Sequence, residues 1–116
     1  MSEADVLVIG GTGMLGSQVV DRLMARGKRV RALVRPTSQA EKLVAAGVEL
    51  APGDLLAPET LRRALDGVDA VVTSAAGYTR HTEGDTIETD RMGNLNLIDA
   101  AAAVGVRRFV LTSILN

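Results

Sequence analysis

Four glycines near the start of the chain have a spacing that could hold a phosphate. Residues 5–16 read DVLVIGGTGMLG, an apolar run followed by a glycine-rich turn and a helix-forming pattern. Gly11, Gly13 and Gly16 fit G-x-G-x-x-G, and Gly10, Gly13 and Gly16 fit G-x-x-G-x-x-G. In such a turn the backbone can approach a pyrophosphate closely, and the first N–H groups of the helix point at it. The alternative is a strand-to-helix turn without a ligand.

A basic residue at the end of the second apolar run indicates which dinucleotide would bind. Folds that bind NAD place an Asp or Glu about 20 residues after the glycines, where it accepts hydrogen bonds from ribose. Here Arg35 takes that place, and Thr37 and Ser38 could add hydroxyl donors. A guanidinium cannot accept a hydrogen bond, but it can bind a 2′-phosphate. The sequence therefore predicts NADP(H) as the preferred cofactor, with NAD(H) possible; the alternative is a solvated arginine.

Two further segments could complete a dinucleotide site. Asp54 follows the third apolar run, where its side chain could reach the adenine amino group, or could instead form an Asx turn. Ala75, Ala76 and Gly77 follow the fourth run and would leave room for the ribose of the cofactor. Alternatively, these small residues pack closely against the first strand.

Regularly spaced glycines divide the chain into units that each contain a strand and a helix. Gly27, Gly47 and Gly67 follow stretches of helical spacing and precede Val-rich runs, as expected at the C′ position of a helix, and Gly105 ends the last helix. The pattern predicts strands at 6–9, 29–35, 48–51, 69–74 and 108–112, and helices at 14–26, 38–46, 58–65 and 87–104.

Strands joined by helical crossovers predict an α/β fold with a Rossmann-type doubly wound parallel sheet. We expect the strand order 3-2-1-4-5, helices on both faces and a single domain over residues 1–116. Leu15, Val19 and Leu23 should form the inner face of the first helix. The fifth strand is apolar on both faces and would be an unprotected edge. We therefore expect the N-terminal part of a longer protein, or a homo-oligomer that pairs through this edge.

Composition limits the partners and the chemistry. The net charge is −1, from 13 basic and 14 acidic residues without a run of like charge, so neither nucleic acid nor a membrane surface is an expected partner. The absence of cysteine excludes disulfides and thiolate metal ligands, and we predict no metal site. The first residues are acidic rather than basic, and no apolar run is long enough to span a bilayer, which favours the cytoplasm.

The chain resembles the atypical short-chain dehydrogenase/reductase superfamily, most closely its NmrA-like NAD(P)-binding branch. The resemblance rests on residues 8–16, 30–35, 53–55, 90–94, 96–101 and 105–113. It implies a pyrophosphate held by the glycine turn, a 2′-phosphate held by Arg35 and an adenine flanked by the third strand's end. Carried over by position, the cofactor-binding residues are Gly10, Gly11, Thr12, Gly13, Met14, Leu15, Gly16, Arg35, Asp54 and Leu55, with Ala75, Ala76 and Gly77 at the ribose and Thr112 and Ser113 near the nicotinamide.

Catalytic residues are harder to assign. Members of the superfamily that transfer hydride usually have a Tyr-x-x-x-Lys pair after strand five. The only tyrosine here is Tyr78, and four residues after it stands Thr82 instead of a lysine, so the sequence contains no such pair. Ser113 stands at the position of the family's strand-five serine and is the one catalytic candidate, although no base is apparent to activate it. His81 lies in a polar loop, where a solvated histidine is expected.

These observations leave several functions open. We expect an NADP(H)-binding domain of an oxidoreductase that reduces a small carbonyl, quinone or enone of unknown identity. An alternative of a different class is a regulatory protein that senses NAD(P) without turnover. A nucleotide-sugar epimerase-like enzyme is a third alternative; many such relatives have Asn where this chain has Asp90, which argues against it.

Overall fold

The alternation of strands and helices expected from the glycine spacing is confirmed in the computed structural model, which describes residues 4–11, 14–35, 40–73 and 87–111. Predicted and observed boundaries differ by one or two residues in most elements, and α2 is shorter than predicted. The elements are β1 (Ala4–Ile9), α1 (Met14–Ala25), β2 (Val30–Val34), α2 (Glu41–Ala45), β3 (Glu49–Pro52), α3 (Pro58–Ala64), β4 (Val68–Thr73), α4 (Ile87–Val104) and β5 (Arg108–Leu111).

The five strands form one parallel sheet in the order β3-β2-β1-β4-β5, which confirms the predicted Rossmann-like topology. Each crossover returns to the sheet through a glycine in the left-handed region, because a residue with a Cβ is strained there. The glycines concerned are Gly27, Gly47, Gly67 and Gly105, with φ of 76°, 88°, 73° and 79°.

Apolar side chains alternate between the two faces of the sheet and form a core on each. Leu7 and Ile9 of β1 point to the face covered by α3 and α4, whereas Val6 and Val8 point to the face covered by α1 and α2. Burial on both faces explains why the strands are continuous apolar runs rather than alternating ones. A sheet of this kind holds the ends of its strands in fixed positions.

The inner face of α1 agrees in part with the predicted one, because Val19 and Leu23 pack against the core. Leu15 is 38% exposed, whereas Gly16 and Val20 are buried and Leu23 is half-buried. The buried face is therefore centred between the predicted residues Val19 and Leu23 and the buried Gly16 and Val20, and it leaves out only Leu15. Gly16, which has no side chain, lies at the closest approach to the turn after β1, and this contact turns Leu15 away from the core.

A fully buried arginine joins β2, β3 and α3. Arg31 Nε donates to Glu49 Oε1 at 2.9 Å, and its Nη1 donates to the carbonyl oxygens of Ala64 at 2.8 Å and Asp66 at 2.6 Å. The last carbonyls of a helix lack partners within it and carry partial negative charge, so a guanidinium stabilises them. The sequence predicted Arg31 only as a strand residue and did not predict this role.

The β5 edge remains largely uncovered in the part of the chain that the structure describes. Register places Val110 beside Val72 on the face of α1, and Phe109 beside Val71 on the face of α4. Both β5 side chains are exposed. The predicted pairing of this edge with another copy, and the single-domain assignment, stay predictions.

We expect substitution of Arg31 by methionine to lower the free energy of unfolding by about 3 kcal/mol, because it leaves buried carbonyls without a donor. Arg29→Met is the matched control: Arg29 also pairs with a carboxylate, Asp5 at 3.1 Å, but its side chain is 61% exposed against 0% for Arg31. Its loss should be much smaller, since exposed pairs contribute little. Urea unfolding measures both, and equal losses would contradict the capping role.

An NMR titration of Asp5 should detect its exposed ion pair with Arg29. The hydrogen bonds donated by Arg29 hold the pKa of Asp5 below its ordinary value of 3.8. Because this pKa is lowered by folding, the associated stability is present above the unfolded pKa and is lost as the pH falls through the folded one. In Arg29→Met we expect the Asp5 pKa, measured by NMR, to rise toward the ordinary value.

Candidate functional site

The carboxyl ends of four strands meet at one edge of the sheet, on either side of the point where the strand order reverses. Ile9 of β1 lies level with Leu33 of β2 and Thr73 of β4. The glycine turn directly follows β1 and Arg35 directly follows β2, so both lie at this edge. Ligands of open α/β sheets bind at such an edge.

The turn between β1 and α1 depends on two of the predicted glycines. Gly10 has φ of 85°, in the region that favours glycine. A Cβ at Gly16 would lie 1.9 Å from the carbonyl oxygen of Gly10 and 2.5 Å from its carbonyl carbon, which no side chain can satisfy. A Cβ at Gly11 would meet only ordinary contacts, at 3.6 Å or more. The steric requirements therefore favour the spacing that begins at Gly10.

The amino terminus of α1 follows this turn directly. The helix is 12 residues long and has no acidic side chain in its first turn. Its first N–H groups lack partners within the helix, and its dipole places positive charge at this end. Backbone groups here can therefore bind an anion in the way that the sequence predicted for pyrophosphate.

Arg35 lies at the second strand's end, on the side of the turn that the sequence predicted. It follows the buried Val34 and is itself half-buried. On its other side β3 ends at the same level, because the N–H of Gly53 donates to the Val34 carbonyl at 2.9 Å. Arg35 thus follows the strand that lies between β1, which precedes the glycine turn, and β3, which precedes the loop containing Asp54.

Asp54 forms the Asx turn that was one of its two predicted roles. Its Oδ1 accepts from the N–H of Leu56 at 2.9 Å. The hydroxyl of Thr60 accepts from the Asp54 N–H at 3.0 Å and lies 2.7 Å from the Ala57 carbonyl, which fixes the loop to the start of α3. The Asx turn engages Oδ1 alone, and the predicted contact of this carboxylate with adenine stays a prediction.

The side chain of Leu55, which was predicted to flank adenine, packs into the core. This core is formed with α3 and α4, and the whole residue is 1% exposed. The Leu55 carbonyl accepts from Asn96 Nδ2 at 2.9 Å, and a Cβ at Gly93 would lie 2.9 Å from the Leu55 Cβ. Helix α4 therefore packs tightly against this loop and holds it by a hydrogen bond.

Sequence reasoning missed the residues that support the loop. Gly93 and Asn96 belong to segments that carried the family resemblance, yet nothing in their spacing assigned them a contact with Leu55. Nothing in the sequence identified Thr60 as a residue that would support this loop. A side chain that bonds a backbone group 41 residues away leaves no periodic signal, and only the packing of α4 on α3 shows it.

Several predicted site residues lie outside the described residues. The structure places Gly10, Gly11, Gly16, Arg35, Asp54 and Leu55 at the edge, and Met14 and Leu15 at the start of α1. The predicted residues outside it are Thr12, Gly13, Ala75, Ala76, Gly77, Thr112 and Ser113, together with Thr37, Ser38, Tyr78 and His81. Their roles stay predictions.

Comparison with known proteins agrees with this arrangement. A family model described as NAD(P)H-binding matches residues 10–116. The Photosystem II assembly factor Ycf39 of Synechocystis sp. is 42% identical over 111 residues, which are 95% of this chain and 33% of that protein. The NAD(P)H azoreductase of Xenophilus azovorans is 38% identical over 93% of this chain and 35% of its own length.

A solved structure extends the comparison to three dimensions. The NADPH-dependent quinone oxidoreductase of Escherichia coli, in complex with NADPH, superposes with a TM-score of 0.78 at 28% identity. The match covers 95% of this chain and 37% of that protein. The chain thus spans about a third of the length of its curated relatives. Among the described residues, no helix is long and apolar enough to cross a membrane.

The contact between Gly16 and Gly10 gives a direct test. We expect Gly16→Ala to lower the free energy of unfolding by about 2 kcal/mol or more, because the turn must move to admit the methyl group. The same shift should weaken binding of NADPH, measured by titration calorimetry. Gly11→Ala is the matched control and should change stability by less than about 1 kcal/mol. If the two alanines have the same effect on unfolding, the steric account of this turn is wrong.

Proposed function

The chain belongs to the NAD(P)H-binding family, and on that premise we propose that it is the NADP(H)-binding domain of an oxidoreductase that reduces a small carbonyl, quinone or enone. The observation that carries the cofactor choice is Arg35, which follows β2 at the same edge of the sheet as the glycine turn, in the position where an acidic residue would select NAD. A guanidinium there favours a 2′-phosphate and disfavours a bare ribose diol.

The residues at the sheet edge fit such a cofactor. Gly10 and Gly16 leave no side-chain atoms at the contact between the turn and α1, and the start of α1 would hold the pyrophosphate. Arg35 would bind the 2′-phosphate, and the Asp54 loop would receive adenine. When bound, the nicotinamide supplies the hydride; the protein supplies its position and its electrostatic environment.

Two of the similar proteins support a reductase. One is described as an azoreductase that uses NAD(P)H and the other as a quinone oxidoreductase that uses NADPH. Both are about three times as long as this chain, and we propose that a substrate pocket draws on residues outside these 116. Ser113 remains the one catalytic candidate within the chain, and its role stays a prediction. Cytoplasmic localisation stays a prediction.

A second candidate function has its own support. The similar Synechocystis protein is described as an assembly factor, which is not the name of a catalyst. A protein that binds NADP(H) and passes on its redox state to a partner would use the same sheet edge. It would need no proton donor, and the sequence contains no Tyr-x-x-x-Lys pair. A similar solved structure is described as a nucleoside-diphosphate-sugar epimerase, but at 23% identity it supports a shared fold and not the epimerase alternative.

The NADP preference is tested by reversing the charge of Arg35. We expect Arg35→Asp to weaken NADPH binding at least about tenfold, the value of one charge-assisted hydrogen bond, with a much smaller effect on NADH. Arg22→Asp, on the exposed side of α1, changes net charge equally and should leave both affinities unchanged. Titration calorimetry with both nucleotides measures this. Equal losses for NADPH and NADH would contradict the assignment.

Turnover separates the reductase from the sensor. NADPH oxidation would be followed at 25 °C against a panel of quinones, aldehydes and enones, using a form of the protein as long as its relatives. We expect turnover that Arg35→Asp reduces with NADPH and spares with NADH. Tight NADPH binding without oxidation by any member of the panel would favour the sensor.

A further inference from the structure

One buried polar atom of α4 has no hydrogen-bond partner among the residues that the structure describes. It is the side-chain amide oxygen, Oδ1, of Asn94, a residue that is half-buried as a whole. An acceptor that is taken out of water without a donor costs free energy, and native proteins contain few such atoms. Where one occurs, an ordered water, an ion or a role in function is the usual reason.

Two asparagines lie on opposite flanks of α4. Asn94 and Asn96 are two residues apart, so on a helix of 3.6 residues per turn their side chains project about 160° apart. Gly93 and Leu97, which lie between these two directions, are buried. Asn96 donates to the Leu55 carbonyl at 2.9 Å, so its flank of the helix faces the loop after β3. Because the sheet order runs from β3 through β2 and β1 to β4 and β5, the flank of Asn94 faces the β4 and β5 side.

Asn94 also lies near the edge of the sheet where ligands of this fold bind. A Cβ at Gly93, the residue before it, would lie 2.9 Å from the Leu55 Cβ, which places this turn of α4 beside the loop after β3. Strand β4 ends at Thr73, level with Ile9, which directly precedes the glycine turn. Asn94 is therefore on the β4 side of the helix, at the level of the carboxyl ends of the strands.

The two halves of the proposed cofactor extend in opposite directions from its pyrophosphate, across the point where the strand order reverses. Arg35 and the Asp54 loop follow β2 and β3, so the adenine half would lie on that side of the glycine turn. The nicotinamide half would then extend over β4, toward the flank of α4 that contains Asn94. Its ribose hydroxyls and its carboxamide amino group are hydrogen-bond donors, which is what an unpartnered oxygen requires.

We propose that Asn94 binds the nicotinamide half of the cofactor, and that its amide oxygen accepts a hydrogen bond from this half, directly or through one bridging water. The inference rests on the proposed NADP(H) function. The bond would recover the free energy that the unpartnered oxygen costs in the ligand-free protein. The two asparagines of α4 then serve opposite ends of one ligand, because Asn96 supports the loop that would receive adenine.

The test compares ligands that contain different parts of the cofactor. Titration calorimetry would use a form of the protein as long as its relatives, with NADPH and with adenosine 2′,5′-bisphosphate, which has adenine and the 2′-phosphate but no nicotinamide half. We expect Asn94→Leu, which removes the acceptor, to weaken NADPH binding about tenfold, the value of one hydrogen bond, and to leave binding of the bisphosphate unchanged. Binding of 2′-phospho-ADP-ribose, which adds the second ribose, identifies the donor: a loss there indicates a ribose hydroxyl, and no loss indicates the carboxamide.

Asn96→Leu is the matched control on the other flank of the helix. It breaks a hydrogen bond that the structure shows, so we expect a lower urea midpoint of unfolding and an equal weakening of NADPH and of the bisphosphate. Asn94→Leu removes an acceptor that has no partner among the described residues, so the urea midpoint of the ligand-free protein should stay the same or rise.

The outcomes separate this inference from the proposed function on which it rests. If the wild type binds both ligands, and Asn94→Leu weakens both equally or neither, the role of Asn94 is wrong and the NADP(H) site stands. A lower urea midpoint for ligand-free Asn94→Leu would also overturn the inference, because it would show that the amide oxygen has a partner within the protein. Absence of binding of both ligands by the wild type would refute the proposed function, and the inference with it.

Discussion

The absence of a β-carbon at Gly16 is the constraint on which the rest of the site depends. Because a methyl group there would overlap the Gly10 carbonyl, α1 can begin directly against the end of β1. The helix N-terminus is thereby brought to the point where the strand order reverses. The same contact determines which side of α1 is buried, with Val20 inside and Leu15 at the surface. One steric condition thus sets the position of the helix dipole and its rotation.

The second half of the site is held by side chains that bond to backbone. Thr60 holds the Asp54 loop at the start of α3, Asn96 holds the Leu55 carbonyl from α4, and Arg31 holds the end of α3. They keep the loop after β3 at a fixed distance from β2 and Arg35, as a site on a rigid scaffold requires. The proposed dinucleotide would therefore meet a loop that is already formed.

Binding and chemistry are separate matters in this chain. The edge formed by β1, β2 and β3 contains backbone donors, a guanidinium and a carboxylate, which suit recognition of a dinucleotide rather than proton transfer. Similar proteins include one described as an azoreductase and one described as an assembly factor, so similar nucleotide-binding domains occur in proteins with different functions.

The sequence by itself determined the order and type of the elements, the parallel topology and the edge at which a ligand would bind. It could do so because these depend on local signals: buried apolar runs, glycine at helix ends and the spacing after Ile9. Only the tertiary structure decided which glycine spacing is sterically required, that Arg31 is buried, and that Asn96 and Thr60 support the Asp54 loop. These facts depend on atoms distant in the chain that come within van der Waals or hydrogen-bond distance, and no periodicity encodes such distances. The rotation of α1 belongs with them, because a contact between Gly16 and the preceding turn overrides the apolar pattern that had placed Leu15 inside.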